Sequence, residues 1–181
     1  QMCIRDRDTD GSLKDYTPKK KSSKKKSSGK SDTSDKSGTS TAKKSVALTF
    51  DDGPSSFTDR LLDCLEENNA KATFFMVGTE IASFPDEVKR MKKLGCELGN
   101  HTYDHKDLAT LSSDEISSEI ARVDEQLVNL TGEGASVVRP PYGSVNDTVK
   151  STVGTPMILW SIDTLDWKTQ DVESTVEEVM N

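Results

Sequence analysis

The sequence predicts an α/β domain, because after Ser45 short apolar runs alternate with amphipathic ones. Short apolar runs bounded by turn residues are typical of buried strands, and apolar residues repeating every three or four positions are typical of helices. Strands that take turns with helices pair in parallel through crossover helices, so the sheet is either a (β/α) barrel or open. The strands are predicted over residues 46–50, 72–77, 96–100, 136–139 and 157–160.

The helices between these strands have start and stop signals. The first is predicted over 57–68. The second begins at Pro85, which is followed by two acids, and ends at Gly95. In the third, Ser112 with Glu115 is a capping-box signature and Gly132 is typical of a helix end. Its apolar residues recur every three or four positions: Ile116, Ile120, Val123, Leu127 and Leu130. A last helix is predicted from residue 172 onward.

Composition divides the chain into two parts. Residues 1–45 carry 13 Lys/Arg and 6 Asp/Glu, whereas residues 46–181 carry 11 and 25. The Lys/Ser-rich stretch 19–44 has almost no large apolar side chains, so it cannot bury enough surface to offset the entropy lost on ordering. We expect 1–45 to be a disordered basic tether and 46–181 to be the folded domain. No aromatic residue is interleaved in the stretch for base stacking, which favours a soluble spacer over a nucleic-acid partner.

The polar residues that break the alternation follow the predicted strands. In parallel α/β folds the carboxyl ends of the strands share one face, so side chains placed there converge. The residues in question are Asp51, Asp52, His101, His105, Arg139 and Asp163.

The chain has two histidines, His101 and His105, and a helical turn would place them on one side. With a nearby carboxylate they would form a three-ligand metal site that leaves room for water. The alternative is two exposed or structurally bonded histidines, which the acids on the same face disfavour.

Asp51 and Asp52 are adjacent, so on leaving a strand they point to opposite sides and do different work. One can bind the metal while the other acts as a base towards water. The alternative is an ordinary turn, since DDGP is rich in turn formers.

The segment RPPYG predicts an extended path that holds Tyr142 at the same face, or simply a rigid loop. The segment SIDTLDW ends a predicted strand with two acids and Trp167. The alternative to a functional role for these residues is a helix-capping aspartate with a core tryptophan.

Four motifs occur in order: TFDDGP at 49–54, HTYDH at 101–105, RPPYG at 139–143 and DTLDW at 163–167. Together they resemble the polysaccharide deacetylases of the NodB-homology, carbohydrate esterase four family. The resemblance covers about residues 45–181. It implies a distorted (β/α) barrel, incomplete at the carboxyl end of this chain.

The resemblance also implies residue roles. Asp51 would be the catalytic base, held in position by Arg139, and the Tyr142 amide would stabilise the oxyanion of the tetrahedral intermediate. Asp163 would tune the catalytic groups, and Trp167 would form a wall of the acetyl pocket. A divalent metal, most often zinc, would be bound by Asp52, His101 and His105.

The implied activity is metal-dependent removal of N-acetyl groups from a cell-wall or chitin-like polysaccharide, in the first place peptidoglycan. We expect a monomer at the outer face of a bacterial cell. The sequence contains neither an apolar membrane span nor a signal peptide, so attachment to membrane or wall would use a segment ahead of this chain. The alternatives are a xylan-type O-acetyl esterase, a carbohydrate-binding domain without turnover, and a two-histidine, one-carboxylate iron oxygenase. The family's fifth motif, Leu-x-His, is absent after His105, which we interpret as truncation.

Overall fold

The structure is a computed structural model that describes residues 5–7, 13–15 and 46–180. Within the predicted tether it describes two short strands, β1 (Arg5–Arg7) and β2 (Leu13–Asp15), which pair antiparallel. The sequence did not predict this ladder. The rest of the predicted tether lies outside the described residues, and the ladder belongs to a separate unit from residues 47–181.

Residues 46–180 alternate between strands and helices. The strands are β3 (Thr49–Gly53), β4 (Thr73–Met76), β5 (Glu97–Asn100) and β6 (Val137–Val138). The helices are α1 (Thr58–Glu67), α2 (Gly78–Ile81), α3 (Pro85–Leu94), α4 (Ser113–Thr131), α5 (Asp147–Thr152), α6 (Asp166–Thr169) and α7 (Val172–Met180). Short 3-10 turns occur at Leu108–Thr110 and Pro141–Gly143. In the part of the chain that the structure describes, no helix is both long and apolar enough to cross a bilayer.

The four strands form a parallel sheet in the order β3-β4-β5-β6, which is also their order along the chain. A doubly wound sheet reverses its order at a switch point, whereas a (β/α) barrel adds each strand beside the previous one. The observed order is therefore that of a barrel wall. The α/β class and the parallel sheet are confirmed.

The helix boundaries predicted from start and stop signals are confirmed to within a residue or two. Gly95 and Gly132 end α3 and α4 in the left-handed conformation, with φ of 73° and 82°. The sequence did not predict α2, α5 or α6, because helices of four to six residues are too short to show a 3.6-residue period.

Two strand predictions are corrected. The first strand begins at Thr49 rather than at residue 46, and it continues to Gly53. The strand predicted over 157–160 is wrong, because only one parallel bridge, between Val138 and Met157, forms there. The physical reason is that the carbonyls of Ile158 and Leu159 are bound by the Arg139 guanidinium rather than by a neighbouring strand.

The core lies between the sheet and the helices that cover it. Its buried side chains come from β4, β5 and the inward faces of α1, α3 and α4: Phe74, Met76, Leu98, Leu62, Leu65, Val88, Met91, Val123 and Leu127. Gly99 on β5 has a packing reason, since a Cβ there would lie 2.5 Å from the Phe75 ring. This packing fixes the carboxyl ends of β3, β4 and β5, where the polar residues collect.

We predict that Ser112→Ala lowers the free energy of unfolding by about 1 kcal/mol. The Ser112 hydroxyl accepts the Glu115 amide at 3.4 Å, and the Glu115 carboxylate accepts the Ser112 amide at 2.9 Å, so the substitution removes half of the capping box. Chemical denaturation measures the change. Ser113→Ala, an exposed neighbour inside the helix, is the control and should change stability by less than about 0.5 kcal/mol.

The capping box should also make stability depend on pH. Hydrogen bonds from the Ser112 side chain and then from its backbone hold the pKa of Glu115 below its ordinary value. A lowered folded-state pKa means that this contribution is present above the unfolded value of about 4.3 and is lost as the pH falls through the folded value. Wild type should therefore exceed Glu115→Gln in stability at pH 7, and the difference should shrink below pH 4. A constant difference across this range would contradict the assignment.

Candidate metal centre and active site

The two adjacent aspartates lie at an irregularity of β3 and point to different partners. The register with β4 shifts between Phe50 and Gly53, and Asp52 has a φ of 65°. A bulge of this kind turns a side chain away from its normal position. Asp51 Oδ1 lies 2.7 Å from Arg139 Nη1, whereas Asp52 Oδ1 lies 3.2 Å from His105 Nε2. The prediction that the two side chains point to different sides is matched by this geometry, although the pair lies inside the strand and not after it.

Asp52, His101 and His105 form a cluster whose ligand atoms all lie within 4.8 Å of one another. Asp52 is exposed, His101 is buried and His105 is half-buried. One exposed carboxylate beside two imidazoles is a donor set that suits zinc and similar divalent ions, and it leaves one side open to solvent.

The hydrogen bonding of His101 tests whether a cation fits this cluster. Its Nδ1 lies 2.6 Å from the carbonyl oxygen of Arg139, and since that oxygen only accepts, Nδ1 carries the hydrogen. Nε2 therefore directs an unshared electron pair at Asp52 Oδ1, 3.5 Å away. Burial lowers the pKa of His101, against the opposing effect of Asp51 and of the Arg139 carbonyl, so a proton on Nε2 is disfavoured. Two facing acceptors are stabilised by a cation between them, and the residues fit a divalent metal.

The histidines share one side for a different reason from the one predicted. Residues 101–105 form an irregular loop and not a helical turn, with left-handed φ at Thr102 (67°) and His105 (53°). The two imidazole centroids lie 4.9 Å apart. The loop backbone is fixed by bonds from Gly78 N to Thr102 O at 3.0 Å and from Thr79 N to Tyr103 O at 3.1 Å. Tertiary hydrogen bonds, and not the geometry of a helical turn, therefore place the two histidines on one side.

Arg139 connects the two carboxylate environments. Its side chain is only 3% exposed and donates to Asp51 and, at 2.9 Å, to Thr49 Oγ1. The guanidinium carbon also lies 4.0 Å from the centroid of the Phe75 ring. Its backbone amide donates to Asn100 O at 2.9 Å, while its carbonyl accepts from His101. One buried residue thus orients the Asp51 carboxylate and one imidazole of the metal cluster.

Tyr142 lies beside this cluster, with its ring centroid 5.0 Å from that of His105. The predicted extended path holds only at Pro140, with φ −61° and ψ 133°, and is wrong beyond it. Pro141–Gly143 is a 3-10 turn in which Tyr142 has a φ of 61°. Strained backbone of this kind concentrates at functional sites.

The structure does not bring every predicted site residue to the cluster of Asp52, His101 and His105. Asp163 is exposed, and its Oδ1 accepts the Leu165 amide at 3.0 Å, a contact within its own turn. Trp167 lies on α6 and is 70% exposed. Among the described residues, Trp160 is the tryptophan near Arg139, with the guanidinium carbon 5.7 Å from the ring centroid. The roles of Asp163 and Trp167 stay predictions.

The sequence missed two buried polar residues that support the site. Asn100 is fully buried, and its Nδ2 donates to Ile120 O at 3.0 Å and to Asp124 Oδ1 at 3.2 Å on α4. Glu119 on α4 is 4% exposed. A signal was present for Glu119, because an acid stands on the apolar face of the helix three residues after Ile116.

A cavity of about 360 Å³ opens beside the aspartates. It lies between β3, β4 and the start of α1, and its wall is mainly apolar. Four of the residues that line it are aromatic: Phe50, Phe57, Phe74 and Phe75. The cluster therefore combines charged groups with an apolar pocket that can take a small uncharged group.

The fold and the site define a class, an α/β barrel-type protein with a two-histidine, one-carboxylate cluster at the carboxyl end of a parallel sheet. A sequence model described as polysaccharide deacetylase matches residues 38–155, and the chain belongs to this family. It is therefore a member of the group of hydrolases that the four motifs indicated.

Relatives and solved structures agree with this assignment. The chain is 42% identical over 142 residues to a peptidoglycan-N-acetylglucosamine deacetylase of Bacillus cereus, covering 76% of this chain and 52% of the relative. It is 41% identical over 138 residues to the peptidoglycan-N-acetylglucosamine deacetylase PgdA of Listeria monocytogenes, covering 76% and 30%. The solved peptidoglycan deacetylase PdaC from Bacillus subtilis matches with a TM-score of 0.72 at 38% identity, covering 75% of this chain and 67% of that one. The chain thus spans between about a third and a half of the length of these two curated relatives.

We predict that substitutions of the two aspartates change the affinity for Zn²⁺ by different amounts. Asp52→Asn should lower the affinity for Zn²⁺ at least about tenfold, because it removes the anionic ligand, whereas Asp51→Asn should change it by less than about threefold. Competition with a chromophoric chelator measures both. Equal losses in the two variants would contradict the division between Asp51 and Asp52.

Proposed function

We propose that this chain carries the catalytic centre of a metal-dependent deacetylase that removes N-acetyl groups from a cell-wall polysaccharide, in the first place peptidoglycan. The carrying observation is the separate fixation of two adjacent carboxylates, Asp51 by Arg139 and Asp52 beside the histidine pair. Metal-dependent hydrolysis of an amide by water uses a cation site and a base next to it. Support for the polymer comes from the relatives, which are named peptidoglycan deacetylases.

Asp52, His101 and His105 would hold the metal, and zinc suits their donor set best. A bound divalent cation polarises the acetyl carbonyl and lowers the pKa of a nearby water towards 7. The His101 tautomer is set by the Arg139 carbonyl, which keeps the Nε2 electron pair directed into the site.

Asp51 would take the proton from the attacking water. Arg139 Nη1 donates a hydrogen bond to Oδ1 of Asp51, which leaves Oδ2 as the oxygen that would receive the proton. The guanidinium cannot give up its own proton near neutral pH, so it orients the carboxylate without competing for the role. The base would therefore be held in one place by a buried residue that directly follows β6.

Groups on the rim would complete the site. The Tyr142 amide, on a turn next to His105, is the proposed donor to the oxyanion. The apolar cavity beside Asp51 would receive the acetyl methyl group. Asp163 is proposed to tune the catalytic groups. Trp167 does not line this cavity, and its role as a wall of the acetyl pocket stays a prediction. The two histidines of the chain both face Asp52, so Asp51 would pass the proton that it takes from water to the leaving amine as the carbon–nitrogen bond breaks.

We also propose that the protein works as a monomer at the outer face of a bacterial cell. The polymer named for its relatives lies there. A basic stretch such as 19–44 would suit contact with anionic wall polymers or lipid headgroups.

We predict release of acetate from N-acetylglucosamine oligomers and from peptidoglycan by the Zn²⁺-loaded chain. Asp51→Asn should lower kcat by about 10²- to 10⁴-fold, the usual contribution of a general base, with KM little changed. A chelator should abolish turnover, and added Zn²⁺ should restore it. Asp59→Asn, an exposed acid that pairs with Arg90 on α3, is the control and should leave turnover unchanged.

Acetate release that persists in Asp51→Asn would contradict the role of Asp51. Turnover of acetylated xylan with none of the N-acetylated polymers would replace the proposal by an O-acetyl esterase.

A further inference from the structure

Glu119 is a buried carboxylate that the proposed mechanism does not use. It lies on the inward face of α4, between Ile116 and Val123, and is 4% exposed. An ionised carboxylate in an apolar layer is costly unless hydrogen bonds satisfy it. Its position in the core therefore needs a compensating set of partners.

The partners of Glu119 all belong to the loop that carries the two histidines. Its Oε2 accepts the amides of Tyr103 at 3.0 Å and of Asp104 at 2.8 Å. Its Oε1 accepts from Lys106 Nζ at 3.0 Å. Two consecutive amides bound by one carboxylate oxygen fix the direction of the peptide plane between them. The carboxylate therefore binds the loop backbone at two residues that lie between His101 and His105.

This loop has a conformation that needs external support. Left-handed φ at Thr102 and His105 is unfavourable for non-glycine residues and persists only where surrounding contacts enforce it. The amides bound by Glu119 lie between these two positions. Without an acceptor there, both partly buried amides would lose their hydrogen-bond partner, which favours relaxation of the loop.

Contacts of the Tyr103 side chain with α2 and α4 also hold this segment. Its ring packs so closely on α2 that a Cβ at Gly78 would lie 2.3 Å from Tyr103 Cδ2. The guanidinium carbon of Arg122, on α4, lies 3.2 Å from the centroid of the same ring. The loop is thus held by its backbone through Glu119 and by its side chain through α2 and α4.

We propose that Glu119 is a positioning residue for the metal centre, acting through the hydrogen bonds to Tyr103 N and Asp104 N that hold His105 in register with His101. The proposal rests on the metal site of the proposed function but not on its substrate. Groups that orient metal ligands without touching the metal typically contribute about ten- to a hundredfold to affinity. Glu119 does so through the backbone between the ligands.

Two variants separate hydrogen bonding from charge. Glu119→Gln keeps the length of the side chain and an acceptor oxygen for the two amides but removes the negative charge. Glu119→Asp keeps the charge but shortens the side chain by one methylene, which withdraws the oxygens from the amides. If the hydrogen bonds position the loop, Gln replaces Glu better than Asp does; if the charge attracts the cation, the order is reversed.

The measurement is the Zn²⁺ dissociation constant of the full chain, by chelator competition, together with the visible spectrum of the Co²⁺-loaded protein. Glu119→Asp should lose at least about tenfold in affinity and change the Co²⁺ spectrum, while Glu119→Gln stays within about threefold of wild type. Val123→Ala, a buried residue one turn further along α4, is the matched stability control. It should lower Tm while leaving Zn²⁺ affinity unchanged.

Each outcome decides something. Wild-type affinity in both Glu119 variants, or a loss in Val123→Ala equal to that in Glu119→Asp, would overturn the positioning role. A greater loss in Glu119→Gln than in Glu119→Asp would overturn the hydrogen-bond mechanism. Absence of Zn²⁺ binding by the wild-type chain would instead contradict the metal site itself, so failure of the two proposals is distinguishable.

Discussion

The geometry of the candidate centre depends on the burial of Arg139. A guanidinium that is 3% exposed must have its donors satisfied, and its acceptors come from segments far apart in the chain: Thr49, Asp51, Ile158 and Leu159. The same residue gives its carbonyl to His101. The requirement to satisfy one buried cation therefore holds Asp51, the His101 imidazole and the segment after β6 in one arrangement. Removing the side chain would leave Asp51 without its partner.

The centre is made of strained backbone held in place by buried polar residues. Of the seven non-glycine residues with left-handed φ in the described part of the chain, four lie at the carboxyl end of the sheet: Asp52, Thr102, His105 and Tyr142. These conformations cost free energy and persist only where surrounding contacts enforce them. The stabilising contacts come from the sheet register, from Asn100 and from α4. The apolar core supplies a rigid support, and the polar residues at its edge convert that rigidity into a fixed arrangement of carboxylates and imidazoles.

Much of this could be predicted from the sequence, because the signals were local. The capping box of Ser112 and the glycine at 95 set helix ends within a turn, and the position of the polar motifs after strands indicated a shared face. Tertiary effects could not be read in the same way. The strand at 157–160 fails because a distant guanidinium takes its carbonyls, and the histidine spacing works through a loop rather than a helix. Glu119 had a local signal, an acid on the apolar face of the helix three residues after Ile116, but its partners lie in a loop that the helix pattern cannot indicate.

The central claim is that the metal lies between Asp52 and the histidines while Asp51 stays on Arg139. A crystal structure of the full chain soaked with Zn²⁺, with anomalous data at the zinc edge, tests it most directly. The account predicts one zinc peak about 2.0–2.2 Å from an Asp52 oxygen and from Nε2 of His101 and His105. It also predicts that the hydrogen bonds from Arg139 to Asp51 and from His101 Nδ1 to the Arg139 carbonyl persist. Zinc bound by Asp51, or by His101 through Nδ1, would contradict the account.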